Sequence, residues 1–271
     1  MLRFVLTLLL GGFATSVGQA QTLDTLIDLG THQLHFKIIS GQGTPIVFES
    51  GNNNDGTVWE PLLDSLHQVT GATLITYDRA GLGQSSIDTT SISFRKEASD
   101  LNRVLLQLGY EEALFFVCHS FGGFYTTQYA IQQEQHIKGA VFIDPALPCF
   151  FTKAWASDFI QSISKEDWAA MKNYYQGLYY VLQDFPGICS SMQDQTMPES
   201  IPVTLIAAEQ ILPMVQPDEV EQWTNCLETF GTAPNHRYVL AKDCGHKVWA
   251  DNPSLVLKEI IRLYNDVHHQ D

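Results

Sequence analysis

Cys118-His119-Ser120-Phe121-Gly122-Gly123 decides how this chain is read. An apolar run, Ala113 to Val117, precedes it and reads as a buried strand. Phe124 to Ile137 follows and reads as a helix. A serine on a sharp turn between a buried strand and a helix has its hydroxyl lifted clear of its neighbours. The N–H of the next residue, at the helix N-terminus, is left free to hold an oxyanion. The bend leaves little room beside Ser120, which accounts for the small Cys118 and for Gly122. The pattern is G-x-S-x-G with cysteine for the first glycine. The plain alternative is an ordinary surface serine beside a Gly-rich helix start, so the rest of the chain must arbitrate.

Outward from that turn, strand and helix signals alternate. Leu34–Ile39, Pro45–Glu49, Ala72–Tyr77, 139–143, 202–207 and 237–241 read as strands. Val58–Gln68, Phe94–Leu108, 216–229 and 253–267 carry apolar residues at helical spacing. Such alternation from Pro45 onward predicts an α/β fold, a mostly parallel doubly wound sheet covered on both faces. One stretch breaks it. From Pro148 to about Pro198 no strand is evident and aromatic residues are dense, including Phe151, Trp155, Phe159, Tyr175 and Phe185. We read it as a helical insertion over the sheet, with most rings packing its own core and a few lining a substrate pocket.

The 271 residues suit one large α/β domain or two small ones, and 45% hydrophobic content supports a sizeable core. Lys+Arg 15 against Asp+Glu 30 gives a net charge of −15, which argues against nucleic acid or anionic membrane surfaces as partners. Met1-Leu2-Arg3, the apolar Phe4–Leu10 and Ser16-Val17-Gly18-Gln19-Ala20 have the layout of a signal peptide, cleaved after Ala20. The expected product is residues 21–271, exported to a periplasm or the medium, with no membrane span after cleavage. A membrane anchor is the poorer reading, because Gly11 and Gly12 interrupt the apolar stretch. Of the five cysteines, Cys118 is expected to be a buried filler, and Cys149 and Cys189 are the first choice if any pair forms. No Cys/His cluster suggests a metal, and neither a G-x-G-x-x-G nor a Walker loop suggests a cofactor.

A serine nucleophile needs a base, a group to orient it and an oxyanion hole. Among the histidines, His246, in Asp243-Cys244-Gly245-His246 after the last strand, has the suitable setting. His119 is too near the elbow, His236 opens a strand, and His268 and His269 fall in a tail. Glu49-Ser50-Gly51-Asn52 follows a strand with a turn able to aim N–H groups at an oxyanion. A second Gly-rich loop runs from Asp78 to Ser85.

With these segments in order, together with Ile143-Asp144-Pro145 and Asn252-Pro253, the chain from about Leu34 to its C-terminus resembles the capped α/β-hydrolases that use serine. The resemblance implies Ser120 as nucleophile, His246 as base, and the backbone N–H groups of Asn52 and Phe121 as the oxyanion hole. For the acid it leaves two positions. In many family members the acid follows the strand after the cap, where this chain reads Ala207-Ala208-Glu209-Gln210. In others it ends the strand after the elbow helix, the place of Asp144. Asp144 is preferred, with Glu209 the competitor and a backbone-capping role the plain alternative. A serine nucleophile speaks against epoxide hydrolases and haloalkane dehalogenases, which attack through aspartate. The implied activity is hydrolysis of a small, partly hydrophobic acyl ester. The alternatives are an aminopeptidase-like enzyme with a cap carboxylate (Glu166, Asp167 or Asp184) on the substrate amine, and a non-catalytic binding protein on the same scaffold.

Overall fold

Residues 21–268 are described by the structure, a computed structural model. The expected signal peptide and His269 lie outside the described residues. Eight strands form one sheet in the order β1-β2-β4-β3-β5-β6-β7-β8. They are β1 (Thr22–Asp28), β2 (Gln33–Ile39), β3 (Gly43–Glu49), β4 (Ala72–Tyr77), β5 (Leu114–His119), β6 (Ile137–Ile143), β7 (Val203–Ala208) and β8 (His236–Ala241). Pairing is antiparallel from β1 to β2 and from β2 to β4, and parallel across the remainder. The helices are α1 (Glu60–Thr70), α2 (Phe94–Gln107), α3 (Gly122–Gln132), α4 (Lys153–Ser162), α5 (Lys165–Tyr174), α6 (Gln176–Gln183), α7 (Phe185–Met192), α8 (Val220–Gly231), α9 (Val248–Asp251) and α10 (Pro253–His268).

Strands buried on both faces explain why the central segments read as continuous apolar runs. In β5, Phe115 and Val117 join the core under α1, α9 and α10. Leu114, Phe116 and Cys118 point the other way, under α2 and α3. Each such fully buried Phe or Leu contributes about 1.5–3 kcal/mol. A third cluster joins α4 and α7 to α3 and α8, through Ala156, Phe185, Phe124 and Trp223.

Three expectations change. The helix after the elbow ends at Gln132, not Ile137. The polar run Gln132-Gln133-Glu134-Gln135 offers no apolar face to continue it, a 3-10 turn intervenes at Glu134–His136, and Ile137 already belongs to β6. His268 closes α10, its ring stacked on Tyr264, rather than lying in a tail. Cys149 pairs with Cys226 of α8, not with Cys189, which is buried and free in α7. That bond ties the start of the insertion to the helix after β7.

Parallel strands place their C-terminal ends on one edge, so the residues just past β3, β4, β5, β6, β7 and β8 gather there. Asn52, Asp78, Ser120, Asp144, Glu209 and His246 all follow those ends.

Candidate active site

Ser120 sits at φ 53° and Asp144 at φ 40°, the left-handed region that non-glycine residues seldom occupy. Each costs about 1–3 kcal/mol unless neighbours hold it. Here the neighbours do. Ser120 N–H donates to Ile143 O at 3.1 Å, and Ser120 O accepts from Ala146 N–H at 2.9 Å and Gly123 N–H at 2.9 Å. Asp144 N–H in turn donates to Ile206 O at 2.7 Å. The elbow is therefore locked onto the end of β6, and the end of β6 onto β7.

Close approach fixes the glycine after it. A Cβ on Gly122 would meet Glu49 O at 2.5 Å and Ser50 O at 2.8 Å, so only glycine lets α3 start against the loop after β3. That contact brings Asn52 to the N-terminus of α3. Neither Asn52 N–H nor Phe121 N–H has a protein acceptor among the described residues. Both residues border the same cavity as Ser120.

The two carboxylates part company. Asp144 is buried, with Oδ2 at 2.6 Å from His246 Nδ1 and Oδ1 accepting from Ala208 N–H at 3.1 Å. Glu209 is exposed, and its carboxylate accepts from Asp243 N–H at 2.7 Å, bracing the loop that carries His246. Asp251 braces the same loop from the other side, accepting from Gly245 N–H at 2.7 Å. With Nδ1–H donating to Asp144, Nε2 of His246 carries the lone pair.

His119 is a member of the site that sequence reasoning set aside. It is buried, its Nε2–H donates to His246 O at 3.0 Å, and its ring lies 4.3 Å from that of His246 and 4.1 Å from Trp249. Burial, then the neighbouring His246, holds its pKa well below the usual histidine range, so it is a neutral donor that fixes the His246 backbone. The His-Ser adjacency was visible in the sequence, but its partner, 127 residues away, was not.

Above Ser120 lies a cavity of about 780 Å³. Its insertion wall is largely apolar, with Phe151, Phe159, Met171, Leu178, Leu182 and Phe185, and Asp167 is its charged member. Asp167 also accepts from Ser164 Oγ at 2.7 Å, while Glu166 and Asp184 do not border the cavity. No group of three or more His, Cys, Asp or Glu that could hold a metal occurs among the described residues. Among the same residues, no helix is long and apolar enough to cross a membrane.

A family model described as the α/β hydrolase fold matches residues 44–162. The chain is 31% identical over 116 residues to the uncharacterized protein YqjL of Bacillus subtilis, covering 43% of this chain and 44% of that protein. It is 30% identical over 118 residues to "Putative carbamate hydrolase RutD" of Azorhizobium caulinodans, covering 42% of each. The chain thus spans less than half the length of either relative. Among solved structures, a thermophilic esterase from Thermogutta terrifontis superposes with a TM-score of 0.61 at 18% identity, over 92% of this chain and 100% of that one.

Proposed function

We propose that this chain, which has the α/β-hydrolase fold, is a serine hydrolase acting on small, partly hydrophobic acyl esters. One observation carries the reading. A buried carboxylate, Asp144, holds Nδ1 of His246 at the sheet edge where the Ser120 elbow opens into an apolar cavity.

In the proposed cycle Nε2 of His246 takes the Ser120 proton as Oγ attacks the substrate carbonyl. The N–H groups of Asn52 and Phe121 receive the developing oxyanion, and Asp144 stabilises the imidazolium. His246 passes its proton to the leaving alkoxide. Water, deprotonated by the same nitrogen, then releases the acid from the acyl-enzyme. The largely apolar wall favours a hydrophobic acyl or alcohol group. Carbamates belong in the substrate panel because one relative's name mentions them.

The test pairs an active-site label with turnover. A fluorophosphonate should label Ser120 in the wild type and not in Ser120→Ala, and acyl esters of graded chain length should be hydrolysed by the former alone. A folded wild type that neither labels nor turns over any ester would leave the binding-protein reading.

A peptidase reading has one supporting observation, Asp167 on the cavity wall. Aminoacyl p-nitroanilides in the same panel test it.

Export is part of the proposal. The signal-like residues 1–20 support it, and so does the Cys149–Cys226 bond, a linkage suited to oxidising compartments.

A further inference from the structure

Behind the loop that ends in Asn52 lies a buried cation. Arg79, at the end of β4, is 4% exposed, and its guanidinium makes three contacts to the segment 49–51. Nη1 donates to Glu49 Oε1 and to Ser50 O, each at 2.5 Å, and Nη2 donates to Gly51 O at 2.9 Å. The far face of the guanidinium is covered by Tyr125 of α3, the ring centroid 4.6 Å from Cζ. The second oxygen of Glu49 accepts from Tyr77 OH, and Tyr125 OH donates to Glu97 at 2.5 Å.

The contact to Gly51 O bears on catalysis through peptide geometry. In a trans peptide the C=O and the N–H of one plane point in opposite directions, and the described chain has no cis bond. The carbonyl of Gly51 and the N–H of Asn52 share one plane. A guanidinium gripping that carbonyl from behind, at a shorter distance than the Asn54 N–H that reaches the same oxygen at 3.3 Å, therefore helps turn the Asn52 N–H forward, toward the cavity that Asn52 borders. The contact is charge-assisted and shielded from water, so it also polarises the peptide and strengthens the N–H as a donor. Arginine suits the place because a planar fork of fixed geometry reaches two successive carbonyls and a carboxylate from two nitrogens, whereas an ammonium is a single point charge on a flexible stem.

We propose that Arg79 is a positioning residue for the oxyanion hole, holding the Gly51–Asn52 peptide from behind with Glu49 as its buried counter-ion. The inference rests on the reading of Ser120 and Asn52 given above.

The test uses the full chain with three variants: Arg79→Lys, the charge-neutral pair Glu49→Gln/Arg79→Met, and Ser120→Ala. Substrate is a p-nitrophenyl ester. Two inhibitors separate the states: an alkyl trifluoromethyl ketone, which serine attacks to form a tetrahedral oxyanion, and the matching methyl ketone, which binds without being attacked. Losing one oxyanion donor costs about 10²–10³ in kcat, and a loosened donor should fall at the lower end. Arg79→Lys should lose about 10²-fold in kcat, and the trifluoromethyl ketone should weaken by the same factor. KM and methyl ketone binding should stay within about threefold. A general loosening of the pocket would move all four quantities together, and that result overturns the proposal. The paired variant leaves no unpaired buried charge and decides the matter if Arg79→Lys does not fold. Wild-type kcat and trifluoromethyl ketone affinity in a folded variant, with Ser120→Ala inactive, would refute the role of Arg79 and leave the site intact. Activity in Ser120→Ala would refute the site itself.

Discussion

Asp144→Asn is the substitution that most directly probes the reading, because the structure dictates how the new amide must sit. Asp144 accepts on both oxygens, from Ala208 N–H through Oδ1 and from His246 Nδ1 through Oδ2. An asparagine has one acceptor and one NH₂ group for those two places. With its oxygen toward His246, the NH₂ would face the Ala208 N–H, donor against donor, in a buried site; that leaves two unsatisfied groups at about 1–3 kcal/mol each. The amide is therefore driven to give its oxygen to Ala208 and its NH₂ to His246. Nδ1 must then accept, which puts the imidazole proton on Nε2, where the lone pair is needed. In triads of this kind the wrong tautomer costs about 10⁴ in kcat, equivalent to about 5.5 kcal/mol of barrier. Initial rates of ester hydrolysis give the loss, and ¹⁵N chemical shifts of His246 give the tautomer. Glu209→Gln is the control and should stay within about threefold, since that side chain braces a loop with one exposed bond. An Asp144→Asn enzyme keeping a tenth of wild-type turnover, or a His246 whose Nδ1 still carries the proton, would refute the reasoning.

Other consequences can be checked with standard assays. Ser120→Ala and His246→Ala should each lose turnover by about 10³-fold or more, with melting temperature little changed. Gly122→Ala should lower stability by about 1–3 kcal/mol through overpacking, since its Cβ meets two carbonyl oxygens of the loop after β3, and thermal melts measure it. Burial pushes the Glu97 carboxyl up to about 7, against an ordinary 4.5. Between those values the folded chain holds a proton that the unfolded chain releases, so stability should fall as pH rises through that window. Glu97→Gln should flatten that part of the stability–pH curve. Peptide mapping without reductant should recover Cys149 joined to Cys226. Removing both with serine should cost at most about 4.5 kcal/mol by loop-closure entropy. The native product should have the mass of a chain beginning near Gln21.

The central strands were legible because burial on both faces leaves unbroken apolar runs, as in Leu114–Val117. β1 was not read, since Thr22–Asp28 lies at the sheet edge, half polar and mostly exposed, with no core face to impose a pattern. The elbow and His246 could be located from turn chemistry and order along the chain. Asp144 could be preferred over Glu209 but not separated from it, because both follow strands that open on the same edge, and only the side-chain direction shows which carboxylate meets His246. The cysteine pairing escaped for a similar reason: its partners are 77 residues apart and meet only once α8 has packed beside β7. Arg79 was visible as part of a Gly-rich loop, but nothing in the sequence says that its fork reaches back across β3's end.

Placing Asp144 before the insertion has a consequence for how such a chain can change. In the proposed mechanism the oxyanion loop, nucleophile and acid all follow β3, β5 and β6, three neighbouring strands, and all precede α4. Only His246 arrives from beyond the four helices. Lengthening, shortening or exchanging the segment between Leu147 and Ile201 therefore leaves the spacing of serine and aspartate untouched, with β7 and β8 returning the histidine to the same edge. The arrangement makes the roof of the cavity an interchangeable part, so libraries confined to α4–α7 should alter which acyl groups are accepted while sparing the machinery beneath.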